Sequence, residues 1–153
     1  SREDAHAVMH VHTDSGVAVS STKEGFLPLN QHAMFVYHDL AYHDWEGVAL
    51  NLDERERLVA DLGDRHLMML RNHGTLALGR SVASCFLRLY YLERACQIQV
   101  NALAAGSPNL PNKQAINMMQ NTFSNPDVWE GLASSAWPAI RRQADRLYPG
   151  YGD

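Results

Sequence analysis

Short apolar runs in the first half of the chain predict a set of strands. Each run is bounded by polar, glycine or proline positions, a pattern that is typical of buried strands. Strands are predicted over residues 5–12, 40–42, 66–70 and 75–78. The last two are joined by a predicted turn, Arg71-Asn72-His73-Gly74, in which the glycine supplies a positive φ.

Apolar positions at helical spacing predict helices between the strands and over the second half of the chain. The longest helix is predicted between Ser81, a favourable N-cap, and Gly106, a favourable residue just past a helix end. Its predicted buried stripe is Val82, Phe86, Leu89, Leu92, Cys96, Val100 and Leu103. Other helices are predicted over residues 14–19, 31–36, 54–62, 113–123 and 126–147. Pro138 either bends the last of these or starts a new helix.

The order of the elements limits the fold class. Asp53 and Glu56 have the spacing of a capping box, which predicts where the helix over residues 54–62 begins. Strands come early and helices late, so the class is α/β or α+β with a helical C-terminal layer. The 153 residues are enough for one hydrophobic core, and we expect a single domain over residues 1–153.

Composition and charge exclude several classes of partner. Thirteen Lys and Arg against seventeen Asp and Glu give a net charge of -4, and both signs are scattered along the chain. This pattern argues against nucleic acid and acidic membranes as partners. No apolar run approaches the length of about 18 residues that a membrane span needs, and the first residues lack the plan of a secretory signal. We expect a soluble, cytoplasmic protein.

The distribution of histidine is unusual, since all eight lie in the first 73 residues. His10 and His12 are two apart in a predicted strand, so their side chains share a face. With Cα atoms about 6.6 Å apart, the two imidazoles can converge on one ion. His6 has the same parity but lies about 13 Å from His10 along the strand, too far to join the same site. The plainer alternative is a pair of core or surface histidines near a strand end.

A third ligand is available from the predicted turn. His73 follows a buried strand directly and precedes Gly74, which lets the backbone come close to a neighbouring strand. Three imidazoles from two segments form a site that leaves a coordination position open. The alternative for His73 alone is a turn histidine that is hydrogen-bonded to the backbone.

The order of these motifs resembles that of the class II aldolase/adducin family over roughly residues 5–105. The similarity rests on Val-Met-His-Val-His-Thr at 8–13, Gly-Val-Ala-Val-Ser at 16–20, Leu-Met-Met-Leu-Arg-Asn-His-Gly at 67–74, Gly79, and Leu-Glu-Arg-Ala at 92–95. It implies a three-layer αβα fold around a mixed, largely antiparallel sheet, with a helical C-terminal part. It also implies a divalent metal, usually zinc, held by His10, His12 and His73.

The resemblance implies metal-dependent lyase chemistry on a small sugar, sugar phosphate or hydroxy-keto acid. In the family's enzymes the metal binds two substrate oxygens and stabilises the enediolate formed when a carbon-carbon bond breaks, which is Lewis-acid catalysis. An epimerase is a close variant because it needs the same enediolate. The alternative from another class is a non-enzymatic, adducin-like interaction domain. Adducin-type members lose the metal ligands, so the three retained histidines favour the enzyme.

The chain also departs from the family pattern. The aldolases carry an acid/base glutamate ahead of the His-x-His strand and phosphate-holding loops further upstream. We find no position for either feature here, and Glu3 is in the wrong place to serve as the glutamate. The chain begins four residues before the strand, without a methionine, so we expect it to be the C-terminal portion of a longer protein.

Several other side chains are weaker candidates. Tyr37 or Tyr42 could donate a proton. Arg71 could bind an anionic substrate, although a paired or solvent-exposed arginine is the commoner case. Packing at a loop or a subunit contact is favoured over ligation for three histidines of an aromatic-rich segment, His32, His38 and His43. The family resemblance implies a small-molecule substrate and a homo-oligomer, most simply a tetramer.

Overall fold

The computed structural model describes residues 2–47 and 52–152. Within them, four strands form one sheet: β1 (Ala7–Val11), β2 (Leu40–His43), β3 (Leu67–Leu70) and β4 (Gly74–Gly79). Their spatial order is β1-β4-β3-β2. Strand β4 is antiparallel to both of its neighbours, and β2 is parallel to β3. The predicted mixed, largely antiparallel sheet is therefore confirmed.

Six helices surround this sheet in the described part of the chain. They are α1 (Asp14–Ser20), α2 (Gln31–Val36), α3 (Glu54–Leu62), α4 (Val82–Ala105), α5 (Lys113–Phe123) and α6 (Pro126–Leu147). A single 3-10 turn, Tyr37–Asp39, leads from α2 into β2. The boundaries agree with the predicted ones to within a few residues, because caps and apolar periodicity are both local signals.

Helices cover both faces of the sheet. Helices α1 and α4 pack on one face, against the inward side chains Leu67, Met69 and Ala77, and α2 packs on α4. Helix α3 packs on the other face, where Leu58 and Leu62 meet a second cluster formed by Ala41, Met68 and Leu70. Since the side chains of β3 alternate between the two clusters, this strand is buried on both sides. The three-layer αβα arrangement is thus confirmed.

Helix α3 begins without the predicted capping box. The backbone of Asp53 is in the right-handed helical region, at φ −71° and ψ −20°, and its side chain makes no capping hydrogen bond. An N-cap side chain reaches back to the helix only when its own backbone is extended, so this conformation prevents the motif. The end of the helix agrees with the prediction, since Gly63 caps it with a φ of 52°.

The predicted caps of α4 are confirmed, but its predicted stripe is wrong at both ends. Ser81 and Gly106 flank the helix, whereas Val82, Val100 and Leu103 are 54%, 36% and 44% exposed. At about 1.5 Å per residue, this 24-residue helix is about 36 Å long and extends well beyond the strands beneath it. The apolar stripe is buried only in its middle part, where the helix has the sheet to pack on.

The C-terminal helices pack through aromatic side chains. Trp129 and Ala133 of α6 are buried against α4, and the Trp129 ring contacts Phe123 at the end of α5. Of the two alternatives for Pro138, the structure has the continuous one, because α6 runs through this residue. Among the described residues, no helix is both long and apolar enough to cross a membrane.

Candidate metal centre

His10 and His12 lie at the end of the edge strand β1. Met9 and Val11 point into the α4 side of the core, so the alternation of the strand sends His10 to the opposite face. His10 is paired with Leu76 of β4, whose side chain belongs to the α3 side of the core. Both histidines are exposed, as expected for an edge strand whose outer face α3 does not cover.

His73 lies in the turn between β3 and β4, and this turn corrects one prediction. The positive φ belongs to Asn72, at 58°, and not to Gly74. Asparagine tolerates this left-handed conformation better than most residues do. Gly74 serves a different purpose, since a Cβ at this position would lie 2.4 Å from the carbonyl oxygen of Val11. The missing side chain lets the turn approach β1 and brings His73 to the other two histidines.

The three imidazoles converge on one point. One nitrogen from each ring lies within 4.8 Å of the other two, and the Nε2 atoms of His10 and His12 are 2.7 Å apart. Ligand nitrogens at about 2.0–2.1 Å from a tetrahedral ion are about 3.3 Å from one another. The separations in the cluster, 2.7 Å for one pair and less than 4.8 Å for all, are compatible with this value, so the donor set fits a divalent ion. In the described ranges, no second group of His, Cys, Asp and Glu meets the same distance condition.

The backbone orients the ring of His10. Its Nδ1 atom lies 2.8 Å from the carbonyl oxygen of Thr75. A neutral ring that donates its proton to this carbonyl keeps a lone pair on Nε2, the atom that faces the cluster. Metal-binding histidines usually have an outer partner of this kind.

Electrostatics favour the neutral form of His73. Burial is the main cause that holds the pKa of His73 below its ordinary value, and the neighbouring charges of His10 and His12 act in the same direction. The carboxylate of Glu54, in the first turn of α3, has the opposite effect. Neutral imidazole is the form that binds a metal. The sequence marked Glu54 only as part of a helix start, because its place near His73 depends on how α3 packs.

A second carboxylate that sequence reasoning missed lies on the other face of the sheet. Glu93 of α4 accepts hydrogen bonds from the hydroxyl groups of Thr13 and Thr75. Thr13 also caps α1, since its hydroxyl oxygen accepts a bond from the amide of Gly16 at 3.0 Å. These contacts join residues that are far apart along the chain. The sequence signal for Glu93 was its place in the Leu-Glu-Arg-Ala motif at 92–95, which carried the family resemblance but assigned the residue no role.

The weaker candidates from the sequence have structural contacts. The hydroxyl of Tyr42 accepts a hydrogen bond from the amide of Phe26 at 2.9 Å, and burial raises the pKa of Tyr42, which keeps the phenol protonated. Tyr37 is 42% exposed and stacks on Phe26. Nη1 of Arg71 donates to the carbonyl of Thr22 at 3.0 Å, and its guanidinium lies 4.3 Å from the centre of the Tyr42 ring. Roles for these residues in proton transfer or substrate binding remain predictions.

Three of the five other histidines have polar partners of their own. His43 is buried, with Nδ1 2.7 Å from Asp61, and His66 lies between Asp4 and Asp39 at the start of β3. The His6 ring is 3.0 Å from the carbonyl of Arg80. Packing and local hydrogen bonds are therefore sufficient to explain these three residues.

The fold and this cluster define a class of protein: an αβα domain whose mixed sheet carries three convergent histidines at one edge. Residues 1–100 match the family described as the Class II Aldolase and Adducin N-terminal domain. The chain belongs to this class II aldolase and adducin family. Its enzymes are generally metal-dependent.

Two relatives show the breadth of the family. A candidate class 2 aldolase protein of Caulobacter vibrioides is 52% identical over 155 residues, which cover 99% of this chain and 59% of that protein. Alpha-adducin of Mus musculus is 40% identical over 110 residues, which cover 71% of this chain and 15% of the adducin. The chain therefore spans about three-fifths of the first relative.

Two solved structures have the same fold. An aldolase II superfamily protein from Pseudomonas syringae has a TM-score of 0.89 and 41% identity, over 99% of this chain and 61% of that one. An L-fuculose 1-phosphate aldolase from Glaciozyma antarctica has a TM-score of 0.78 and 24% identity, over 96% of this chain and 56% of that one. The second likeness concerns the fold alone.

Proposed function

We propose that this chain is the metal-binding part of a metal-dependent, aldolase-type lyase. Its substrate would be a small sugar, a sugar phosphate or a hydroxy-keto acid, cleaved through an enediolate. The observation that carries the proposal is the convergence of His10, His12 and His73, with one nitrogen of each within 4.8 Å of the others. When bound, a divalent ion, in the first place zinc, would supply Lewis-acid stabilisation of the negative charge that develops as the carbon-carbon bond breaks.

The chain's own groups would prepare this site in two ways. The Thr75 carbonyl holds the His10 ring through Nδ1, which leaves Nε2 free to bind. The depressed pKa of His73 keeps its imidazole neutral. An exposed edge strand leaves the cluster open to a substrate from the solvent side.

A cavity beside the turn is the proposed place for the anionic part of a substrate. It has a volume of about 520 Å³ and reaches Asn72, the neighbour of His73. Lys23 and Arg71 line it, together with the carboxylate of Asp44 and the hydroxyl-bearing residues at the end of α1 and just after it. Both cations suit a phosphate or carboxylate group, in keeping with the predicted role of Arg71.

An epimerase on the same site is a close variant. The second candidate function is an adducin-like interaction domain without catalysis, which the identity to alpha-adducin favours. The metal distinguishes the two, because an interaction domain has no need of three convergent imidazoles. Retention of all three supports the lyase.

Metal analysis and a cleavage screen test this proposal. The chain, and any longer product of the same gene, would be loaded with zinc, freed of excess metal and assayed on ketose phosphates and hydroxy-keto acids by the release of aldehyde. We expect about one ion per chain and cleavage that EDTA and His73→Ala both abolish. Bound zinc with interconversion of epimers, and no aldehyde release, would favour the epimerase. Absence of both bound metal and turnover would refute the enzyme proposal and favour the interaction domain.

A further inference from the structure

We infer that Glu93 is the positioning residue of the three-histidine cluster. Its carboxylate, on the α4 face of the sheet, fixes the two segments that present the histidines on the α3 face. The inference rests on the metal site proposed above. Two hydrogen bonds, one orienting contact and one close approach support it.

The first bond fixes the segment that carries His12. Thr13 follows His12 directly, and its hydroxyl donates a hydrogen bond to Oε2 of Glu93. The same hydroxyl oxygen accepts from the amide of Gly16 at 3.0 Å, so Thr13 is bonded to α1 and to α4 at once. The backbone that leads out of His12 is therefore held between two helices.

The second bond fixes the segment that orients His10. The hydroxyl of Thr75, a fully buried residue, donates to Oε1 of Glu93. The carbonyl of Thr75 is the group that lies 2.8 Å from Nδ1 of His10. Thr75 also follows the turn that carries His73, two residues along the chain. One carboxylate thus holds the backbone at Thr75, which orients the His10 ring and follows His73, and at Thr13, which follows His12.

Gly16 provides the space that the carboxylate occupies. A Cβ on this residue would lie 2.8 Å from Oε1 of Glu93 and 3.0 Å from the hydroxyl oxygen of Thr13. Gly16 is in α1 and has no positive φ, so the small size of glycine is what matters here. A methyl group at this position would push the carboxylate out of reach of one of its threonines.

An amide reproduces this carboxylate only in part. Each oxygen of Glu93 accepts a hydrogen bond from one threonine hydroxyl, whereas glutamine has a single acceptor oxygen and an NH₂ group that can only donate. Glu93→Gln keeps the size and shape of the side chain, but it removes the charge that strengthens both bonds and forces one threonine hydroxyl to rotate and accept instead of donate. Groups bonded directly to a metal ligand typically change metal affinity by about 10–100-fold when they are removed. Glu93 acts one contact further out, through Thr13 and Thr75, so an effect at the low end of this range is expected.

The test compares metal affinity in two glutamate-to-glutamine variants. Glu130→Gln is the matched control, because Glu130 is also partly buried and accepts a bond from a hydroxyl group, that of Ser81, at 3.1 Å. We expect Glu93→Gln to raise the Kd for Co²⁺ about 10-fold and to shift the visible absorption of the bound ion. Glu130→Gln should leave both unchanged, even if it lowers the melting temperature by a similar amount. A Co²⁺ Kd and spectrum of Glu93→Gln that match those of the wild type would overturn the inference.

Gly16→Ala gives a second reading that separates positioning from general stability. Alanine is a better helix former than glycine, which offsets part of the cost of crowding Glu93 and the Thr13 cap. We expect this variant to bind Co²⁺ more weakly than Glu130→Gln does at a comparable melting temperature. Equal affinity in Gly16→Ala and the wild type would contradict the role assigned to the carboxylate.

Failure of the metal site and failure of this inference have different signatures. If the wild-type chain binds no Co²⁺, the proposed function fails and the role of Glu93 is decided by histidine NMR on the metal-free protein. In that experiment the His10 ring should carry its proton on Nδ1 in the wild type and in Glu130→Gln, and should lose this preference in Glu93→Gln. An unchanged His10 tautomer would overturn the inference even without a metal.

Discussion

The absence of a side chain at position 74 lets the turn that carries His73 lie close to β1, which carries His10 and leads into His12. The Cα of Gly74 passes so close to β1 that an added Cβ would lie 2.4 Å from the backbone oxygen of Val11. A backbone atom in a paired strand cannot move aside as a flexible side chain can. Relief of the clash would have to separate β1 from the turn, and with it His12 from His73.

Gly74→Ala should therefore damage both stability and metal binding. We expect a loss of about 2–3 kcal/mol in the free energy of unfolding, measured by urea denaturation, because overpacking of this size forces a backbone shift. Metal affinity should fall with it, since the turn carries His73. Gly131→Ala is the control: nothing lies within 4 Å of a Cβ there, and alanine should stabilise α6 by about 0.5–1 kcal/mol. Equal stability of Gly74→Ala and the wild type would contradict this prediction, because it would show that the turn can move away from β1 at no cost in free energy.

The sequence contained the residues of the cluster but not the residues that support it. The two-residue period of a strand brought His10 and His12 to one face, and the Asn-His-Gly turn supplied His73. Both are local signals. Glu93 and Glu54 reach the site only through the packing of α4 and α3 on the sheet. Glu93 belongs to the motif at 92–95 that contributed to the family resemblance, but this motif does not indicate that the residue lies near the histidine segments. The sequence predicts a positive φ at Gly74, because glycine is the commoner residue in that conformation, but the positive φ is at Asn72. A glycine is also required where two backbone segments come close, and the sequence does not distinguish this reason from the first.

Among the elements, those with strong local signals agree best with their predictions. Helices α4, α5 and α6 have polar caps and long apolar periods, and their observed bounds lie close to the predicted ones. The exposed ends of α4 were beyond local prediction, because periodicity says which face is apolar but not how far the partner surface extends. The missing capping box of α3 has a similar cause, since the chain entering the helix sets the backbone of Asp53.

Pro138 interrupts the hydrogen bonding inside α6. The helix continues through this residue, although proline lacks the amide that would bond to the carbonyl of residue 134 and its ring crowds that turn. Residue 138 is exposed, so no buried contact depends on the ring. The cost of the proline therefore arises within α6, from the missing hydrogen bond and the crowded turn, and not from contacts with other elements.

Pro138→Ala should raise the free energy of unfolding by about 1–3 kcal/mol, because the missing hydrogen bond and the steric conflict are both removed. Thermal unfolding followed by circular dichroism measures the change. Ser135→Ala, also exposed and inside α6, controls for the general gain in helix propensity and should add only about 0.5 kcal/mol. If Pro138→Ala lowers stability instead, the proline itself contributes to the packing of α6 on α4.

At the scale of the whole molecule, the candidate site connects the edge of the sheet to its centre. Among the described residues β1 is an edge strand that pairs with β4 alone, whereas the turn that carries His73 belongs to the central pair β3 and β4. A ligand bound by all three histidines would link positions 10, 12 and 73, and so would cross-link the edge strand to the middle of the fold. Such a ligand binds the folded chain far better than the unfolded one and must stabilise the whole domain.

Zinc should therefore raise the melting temperature of the chain, in proportion to the logarithm of its concentration above Kd. At 100 times Kd the gain is about 2.7 kcal/mol, or roughly 5–10 °C for a domain of this size, and EDTA should reverse it. His12→Ala should abolish the gain because a facial set of three cannot form from two rings. His6→Ala is a close control, since His6 directly precedes β1 and has the parity of His10 and His12, but lies next to the carbonyl of Arg80 instead of the cluster. A zinc shift that His12→Ala retains, or that His6→Ala loses, would mean that the ion binds elsewhere and that the converging rings of His10, His12 and His73 are not its ligands.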